Sequence, residues 1–402
     1  MSSIKEKIKL RSSELLSEII SVRRHLHAHP ELSFLEFNTS KFIAGKLNEY
    51  GISFRDGIVK TGIVAMIEGK GKGGVVALRA DMDALPITEQ NKTDYCSLNS
   101  GVMHACGHDV HTASLIGTAK ILAELKNEFS GTVKLIFQPG EEKLPGGASL
   151  MIKEGVLENP RPACIFGQHV FPSMEAGKAG FRGGMYMAST DELYVTVTGK
   201  GGHAAMPDDY TNPIFIAAEI LKDLYEQFMN LNSTLRKERI KETPTVLAFG
   251  KFIANGATNV IPNEVKIEGT FRTMNEEWRK EAHELLKDLA EQKAASLGGT
   301  CEFRIEKGYP FLVNNEALTL SARTATEDFL GKQNVETLEQ RMTAEDFAFY
   351  TQHLPACFYR LGTGNKAKGI ISGVHTPTFD IDEKALETGM GLMAWLALDQ
   401  LK

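Results

Sequence analysis

At 402 residues the chain is too long for one ordinary hydrophobic core, so two domains, or one large domain carrying an insertion, are expected. An apolar fraction of 42% and a charged fraction of 24% sit at the globular average and argue against a disordered, collagenous or membrane-spanning chain. A formal charge of -6 without any long Lys/Arg block argues against nucleic acid as a partner, and no apolar run reaches signal or membrane length, which leaves the cytoplasm as the expected compartment.

The first element is a helix with Ile4, Ile8, Leu15, Ile19, Val22 and Leu26 at helical spacing, stopped by His29-Pro30. His25, His27 and His29 near its end read as helix-end or packing groups. A second helical pattern covers Glu36 to Tyr50, and strand-like runs follow at Ile63–Ile67 and Val75–Leu78. The link between them, GKGKGG, lacks the strand-before and helix-after context of a nucleotide-binding loop and reads as a flexible hairpin.

After Asp109 a helix is expected, then a largely apolar strand at Val133–Phe137, a helix near Ala148–Gly155 and a strand at Ala163–Gly167. Such alternation implies an α/β fold whose mostly parallel sheet is covered by helices on both faces. Past Ser189 the order becomes strand, helix, strand, strand, helix, strand: LYVTVTG, Pro213–Asn230, Thr245–Phe252, Val265–Phe271, Glu276–Ser296 and Thr300–Glu306. That is the split βαβ pattern of a ferredoxin-like α+β domain. Helix and strand alternation resumes after Tyr309 and ends in an amphipathic helix, Glu383–Leu401. The expected organisation is a discontinuous catalytic domain, 1–187 and 309–402, interrupted by an inserted domain at 188–308.

Metal-capable side chains fall near the carboxyl ends of the expected strands, where open α/β sheets collect ligands. Asp81 and Asp83 follow VVALR, Glu141 and Glu142 follow KLIFQPG, His169 follows CIFGQ, and Cys106 and His108 lie in the loop before a helix. Cys106-Gly107-His108 offers a thiolate and an imidazole to one ion, although a free Cys is more often a small buried hydrophobe. Adjacent carboxylates on an extended segment point in different directions, so one of Glu141 and Glu142 can ligate while the other serves as a base. The bland alternative, two exposed acids in a turn, is weakened by the apolar strand leading into them. His203, in TGKGGHAAMP, and His375, in GVHTPTFD, are isolated histidines whose roles composition leaves open. Five scattered cysteines without CxxC pairs indicate neither a disulfide framework nor a zinc ribbon.

The segments RRHLHAHPELSF, LRADMDALP, HACGHDVH, QPGEE, GQHV, GKGGHAAMP, NVIP, GTFRT, AEDFA and VHTPTF occur in an order that resembles the amidohydrolase branch of the aminoacylase and carboxypeptidase metallopeptidases. This branch includes hippurate hydrolases, indoleacetyl-amino acid hydrolases and N-acyl-L-amino acid amidohydrolases. The resemblance spans about Val22 to Trp395. It implies two divalent ions per subunit, manganese or zinc, with nickel or cobalt as alternatives. Cys106 would bridge them, with His108 and His169 on one ion and Glu142 and His375 on the other.

By the same resemblance Glu141 is the general base and acid, Asp83 orients a ligand, and His203 stabilises the oxyanion in a partner subunit. Asn259 and Arg272 would hold the substrate carboxylate. The implied activity is hydrolysis of small N-acyl amino acids by a homodimer, or a higher homo-oligomer, joined through the inserted lid and dimerisation domain. A dipeptidase or aminopeptidase, a cysteine-nucleophile enzyme on Cys106, and a non-catalytic binding protein of the same fold are the competing readings. The chain departs from the usual pattern at EEKLPGGA and at MTAEDF, positions that bear on substrate shape.

Overall fold

The computed structural model describes residues 3–401. They divide into two compact units, one running to Tyr186 and resuming over Val313–Gln340 and from Asp346, the other comprising Met187–Leu312 and Arg341–Glu345.

The first unit opens with α1 (Ile4–Ala28), capped at its start by the Ser3 hydroxyl, which accepts from the Glu6 amide. Ile8, Leu15, Ile19, Val22 and Leu26 form its buried stripe, as the spacing predicts. In chain order there follow α2 (Phe37–Glu49), β1 (Ser53–Ile58), β2 (Gly62–Glu68), β3 (Val75–Asp81), α3 (His108–Glu124), β4 (Thr132–Gln138), α4 (Gly147–Lys153), β5 (Cys164–Glu175) and β6 (Ala179–Phe181). With strands Ala356–Gly364 and Val335–Thr337 they build an eight-stranded sheet ordered β1, β2, β4, β3, β5, Ala356–Gly364, β6, Val335–Thr337. The central strands β4, β3, β5 and Ala356–Gly364 are parallel neighbours. β1 and β2 extend the sheet antiparallel at one side.

Several expectations need correction. GKGKGG does not close a hairpin: β4 lies between β2 and β3, antiparallel to one and parallel to the other. The run Val133–Phe137 is buried throughout, Lys134 included, and a strand buried on both faces belongs in the middle of a sheet. β1 gave no alternation signal because only Ile58 of its six residues is buried. The last helix, Ala385–Gln400, is not amphipathic. Gly389 to Leu398 are buried without interruption, with Trp395 stacked on Phe329 and the Met390 carbonyl accepting from Thr118 of α3.

The second unit contains the four-stranded antiparallel sheet ordered Thr245–Ile253, Glu264–Thr273, Asp191–Thr198, Thr300–Lys307, with helices Pro213–Phe228 and Glu276–Ser296. This is the ferredoxin-like arrangement. Leu193, Val195 and Val197 alternate inward and pack with Ile267, Phe271, Phe303, Ile220, Leu224 and Leu286. Each such fully buried side chain contributes roughly 1.5–3 kcal/mol. Beside this core a buried Arg279 guanidinium pairs with Asp191 at 2.6 and 3.0 Å, and His283 Nε2 meets the same carboxylate at 2.7 Å.

Candidate metal centre

In the first unit β3 ends at Asp81, and its parallel pairing with β5 runs as far as Arg79 opposite Gly167. His169 therefore lies inside a long strand, not after a short one, two residues past the last β3 pairing and level with Asp81 at the carboxyl end of β3. Cys106 precedes α3 in a loop, whereas His108 is the first residue of the helix itself. Gly107 between them has φ +82, and a Cβ there would meet Val170 at 2.6 Å, so this turn requires glycine. Glu141 and Glu142 follow β4 through Pro139-Gly140. His375 comes from a loop near the other end of the chain and holds φ +61, with its amide donating to the Ala105 carbonyl at 2.7 Å.

These segments bring their donor atoms together. Cys106, His108 and His169 form one set whose ligand atoms lie within 4.8 Å of one another, and Cys106, Glu142 and His375 form a second. The Cys106 sulfur is 3.5 Å from His169 Nε2 and 3.3 Å from His375 Nε2, and His375 Nε2 is 3.2 Å from Glu142 Oε1. Glu141 adjoins both, its Oε2 3.9 Å from His108 Nε2.

Ring orientations follow from the neighbours. His108 Nδ1 faces Asp83 Oδ1 at 3.2 Å, and His169 Nδ1 donates to the Val170 carbonyl at 2.8 Å. Each Nε2 is thereby turned inward. Asp83 also accepts the Glu142 amide at 2.9 Å, so one carboxylate orients residues from both donor sets.

The donor sets fit divalent cations. His108 Nε2 is buried without a hydrogen-bond partner, yet Asp81, Glu141 and Glu142 oxygens surround it at 3.8–3.9 Å. Burial pulls the His108 imidazole down, but Asp81 and then Asp83 overcome this and raise it to about 10. Burial, followed by the charges of Glu142 and Glu141, pushes the Cys106 thiol well above its ordinary value. A thiolate and a neutral imidazole in this place call for a cation in exchange for their protons. Thiolate, imidazole and carboxylate together suit zinc-like or manganese-like ions.

Sequence reasoning missed the supports. His111 is one turn after His108 on α3; its Nδ1 meets Asp81 Oδ1 at 2.5 Å, and its Nε2 accepts the Val170 amide at 2.9 Å, pinning the strand next to His169. Its spacing of three from His108 was the available signal. Arg79 pairs with both Asp81 and Asp346 inside the sheet, and burial first of all raises the Asp346 carboxyl to about 6. His27, expected to be a packing group, instead shares Asp109 with the fully buried Arg23 at 2.8 Å, which fastens α1 to the start of α3. His203, Asn259 and Arg272 belong to the second unit. There His203 opposes Val260 in a short ribbon, the Ala204 amide donates to the Asn259 carbonyl at 3.1 Å, and half-buried Arg272 donates to the Met342 carbonyl at 3.2 Å.

An α/β unit that gathers a thiol, imidazoles and carboxylates into two adjoining donor sets at its strand ends defines a metal-dependent hydrolase of amide or peptide bonds. The chain belongs to the peptidase family M20/M25/M40, whose model matches residues 77–399, and within it to the amidohydrolase branch. It is 39% identical to the N-acetylcysteine deacetylase of Bacillus subtilis over 95% of this chain and 96% of that one. It is 40% identical to the N-acyl-L-amino acid amidohydrolase of Geobacillus stearothermophilus over 77% and 81%. Among solved structures, the YXEP protein of Bacillus subtilis, a dinuclear metal-binding peptidase of the M20 family, superposes with a TM-score of 0.79 at 35% identity, covering 97% of this chain and 99% of that one. No helix among the described residues is long and apolar enough to cross a membrane.

Proposed function

We propose that the protein hydrolyses the amide bond of small N-acylated amino acids to a carboxylate and a free amino acid. The observation that carries this reading is the pair of donor sets sharing the Cys106 sulfur with Glu141 beside them. Cys106, His108 and His169 would hold one ion, and Cys106, Glu142 and His375 would hold the other. Bound divalent ions would supply Lewis acidity, polarising the acyl carbonyl and making a water acidic near neutral pH.

Glu141 takes the proton from the attacking water and returns it to the departing amine nitrogen, which cannot leave as an amide anion. Asp83 keeps His108 turned toward the centre. His203 is assigned to the developing oxyanion, and Asn259 and Arg272 to the substrate carboxylate, as the resemblance implies. The inserted unit serves as lid and dimerisation domain. Exposed Phe215 and Tyr225 on one helix, with Phe252 and Ile253 on an edge strand, support a homodimer through that unit. Manganese or zinc suits the mixed donors. The free cysteines need no oxidising compartment, which supports a cytoplasmic location.

A panel of N-acetyl-methionine, N-benzoyl-glycine and a dipeptide with a free amine, assayed on manganese- and zinc-loaded enzyme, tests the reading. Turnover of the acylated compounds is expected; turnover of the dipeptide alone makes the protein a peptidase on the same centre.

A further inference from the structure

Glu36 lies far from the donor sets in sequence, just ahead of α2, and is fully buried. Its Oε1 accepts two amides, that of Phe34 at 2.8 Å and that of Gly140 at 2.9 Å, while Thr61 Oγ1 donates to Oε2 at 2.8 Å. Gly140 immediately precedes Glu141. It has φ +63, and a Cβ on it would fall 2.4 Å from the Phe34 ring. The ring thus lies flush on the turn while Glu36 holds the turn's amide.

The strand-like segment behind it is fastened on the other side as well. Leu32 bridges to Ala84, the Ala84 amide donates to the Glu31 carbonyl at 2.8 Å, and Ser33 Oγ donates to Asp83 Oδ2 at 2.6 Å. Phe34 itself sits at φ +65, a costly conformation for a residue with a side chain, and the Glu36 carboxylate holds it there through the Phe34 amide. Residues 31–36 therefore clamp two segments that carry the centre: Asp83-Ala84 and the Gly140–Glu142 turn.

We propose that Glu36 is a positioning residue, setting the direction of the Glu141 carboxylate by holding the Gly140 amide and the Phe34 ring against the turn. This rests on Glu141 being the general base. The contact requires an acceptor at Oε1, not a charge. Burial and the nearby Asp83 raise the Glu36 carboxyl to about 7, and the protonated acid can still accept both amides at Oε1 while donating to Thr61. A glutamine amide presents the same arrangement, whereas methionine fills the volume and leaves both amides unpaired in the interior.

The test compares E36M and E36Q in the full-length, metal-loaded enzyme, with kcat expressed per chain holding two ions. A displacement of the base on the order of 1 Å costs up to about 100-fold, so E36M is expected to lose about 30-fold in kcat with KM within about threefold, and E36Q to recover to within about threefold of native. Native kcat per loaded site in E36M overturns the assignment, since a merely structural role lowers only the folded or loaded fraction. Equal losses in E36M and E36Q overturn it too. If E36M does not fold, E36D takes its place: one methylene shorter, it withdraws the acceptor from Gly140, and native kcat in E36D is the overturning result. E141Q is assayed alongside. Activity there removes the base assignment itself, whereas native turnover in E36M beside an inactive E141Q removes only the role of Glu36.

Discussion

His375 Nε2 lies 3.3 Å from the Cys106 sulfur although 269 residues separate them along the chain. The same sulfur is 3.5 Å from His169 Nε2, so both donor sets depend on one atom. Replacing Cys106 with Ser is therefore expected to reduce metal content from about two ions per chain to one or fewer, weakening binding beyond the ~10–100-fold typical of outer-shell losses. Equilibrium dialysis with elemental analysis measures this. Two ions held with native affinity in C106S would contradict a shared-sulfur centre.

Glu141 adjoins both sets. Glu141→Gln keeps the shape and removes the base, so turnover should fall by about 1,000-fold or more while metal content stays native. Near-native turnover in this variant would refute the proton-transfer role.

Asp83 touches His108, the Glu142 amide and Ser33. Asp83→Ala frees the His108 ring and leaves a buried amide unpaired, so metal affinity is expected to drop ~10–100-fold, read by competition with a chromogenic chelator. Unchanged affinity would show that His108 is oriented by other groups.

His203 is assigned to the oxyanion. His203→Ala should lower kcat by about 100-fold or more with both ions retained. A rise in KM at native kcat would move His203 to substrate binding instead.

In the second unit, Asp191 has lost its water; burial alone would raise its pKa, but hydrogen bonds from His283 and Arg279 outweigh this and leave it below the ordinary value. A carboxyl depressed by folding stabilises the native state above its unfolded pKa, and that contribution is lost as pH falls through the folded value. Arg279→Met strands the buried carboxylate and is expected to cost about 3–5 kcal/mol at neutral pH. The difference from native should shrink as pH falls below about 4. Denaturant midpoints at several pH values test both; a difference that grows on acidification would reverse the sign of this argument.

Much of the fold was readable because it is locally encoded. The period of α1, the alternation of Leu193, Val195 and Val197, and the bounds of the helix Glu276–Ser296 follow from spacing alone, since solvent exposure repeats with the helical or strand period. The ordered motifs single out Cys106, His108, Glu141, Glu142, His169 and His375 as candidate donors and base, and the structure brings their donor atoms together. What the sequence did not carry was adjacency. That β4 separates β2 from β3, that Ala385–Gln400 is buried on every side, and that Glu36 meets Gly140 across 104 residues are decided only when distant segments share one interior. There a buried amide or carboxylate must find its partner wherever the chain brings one, because leaving it unpaired costs about 1–3 kcal/mol.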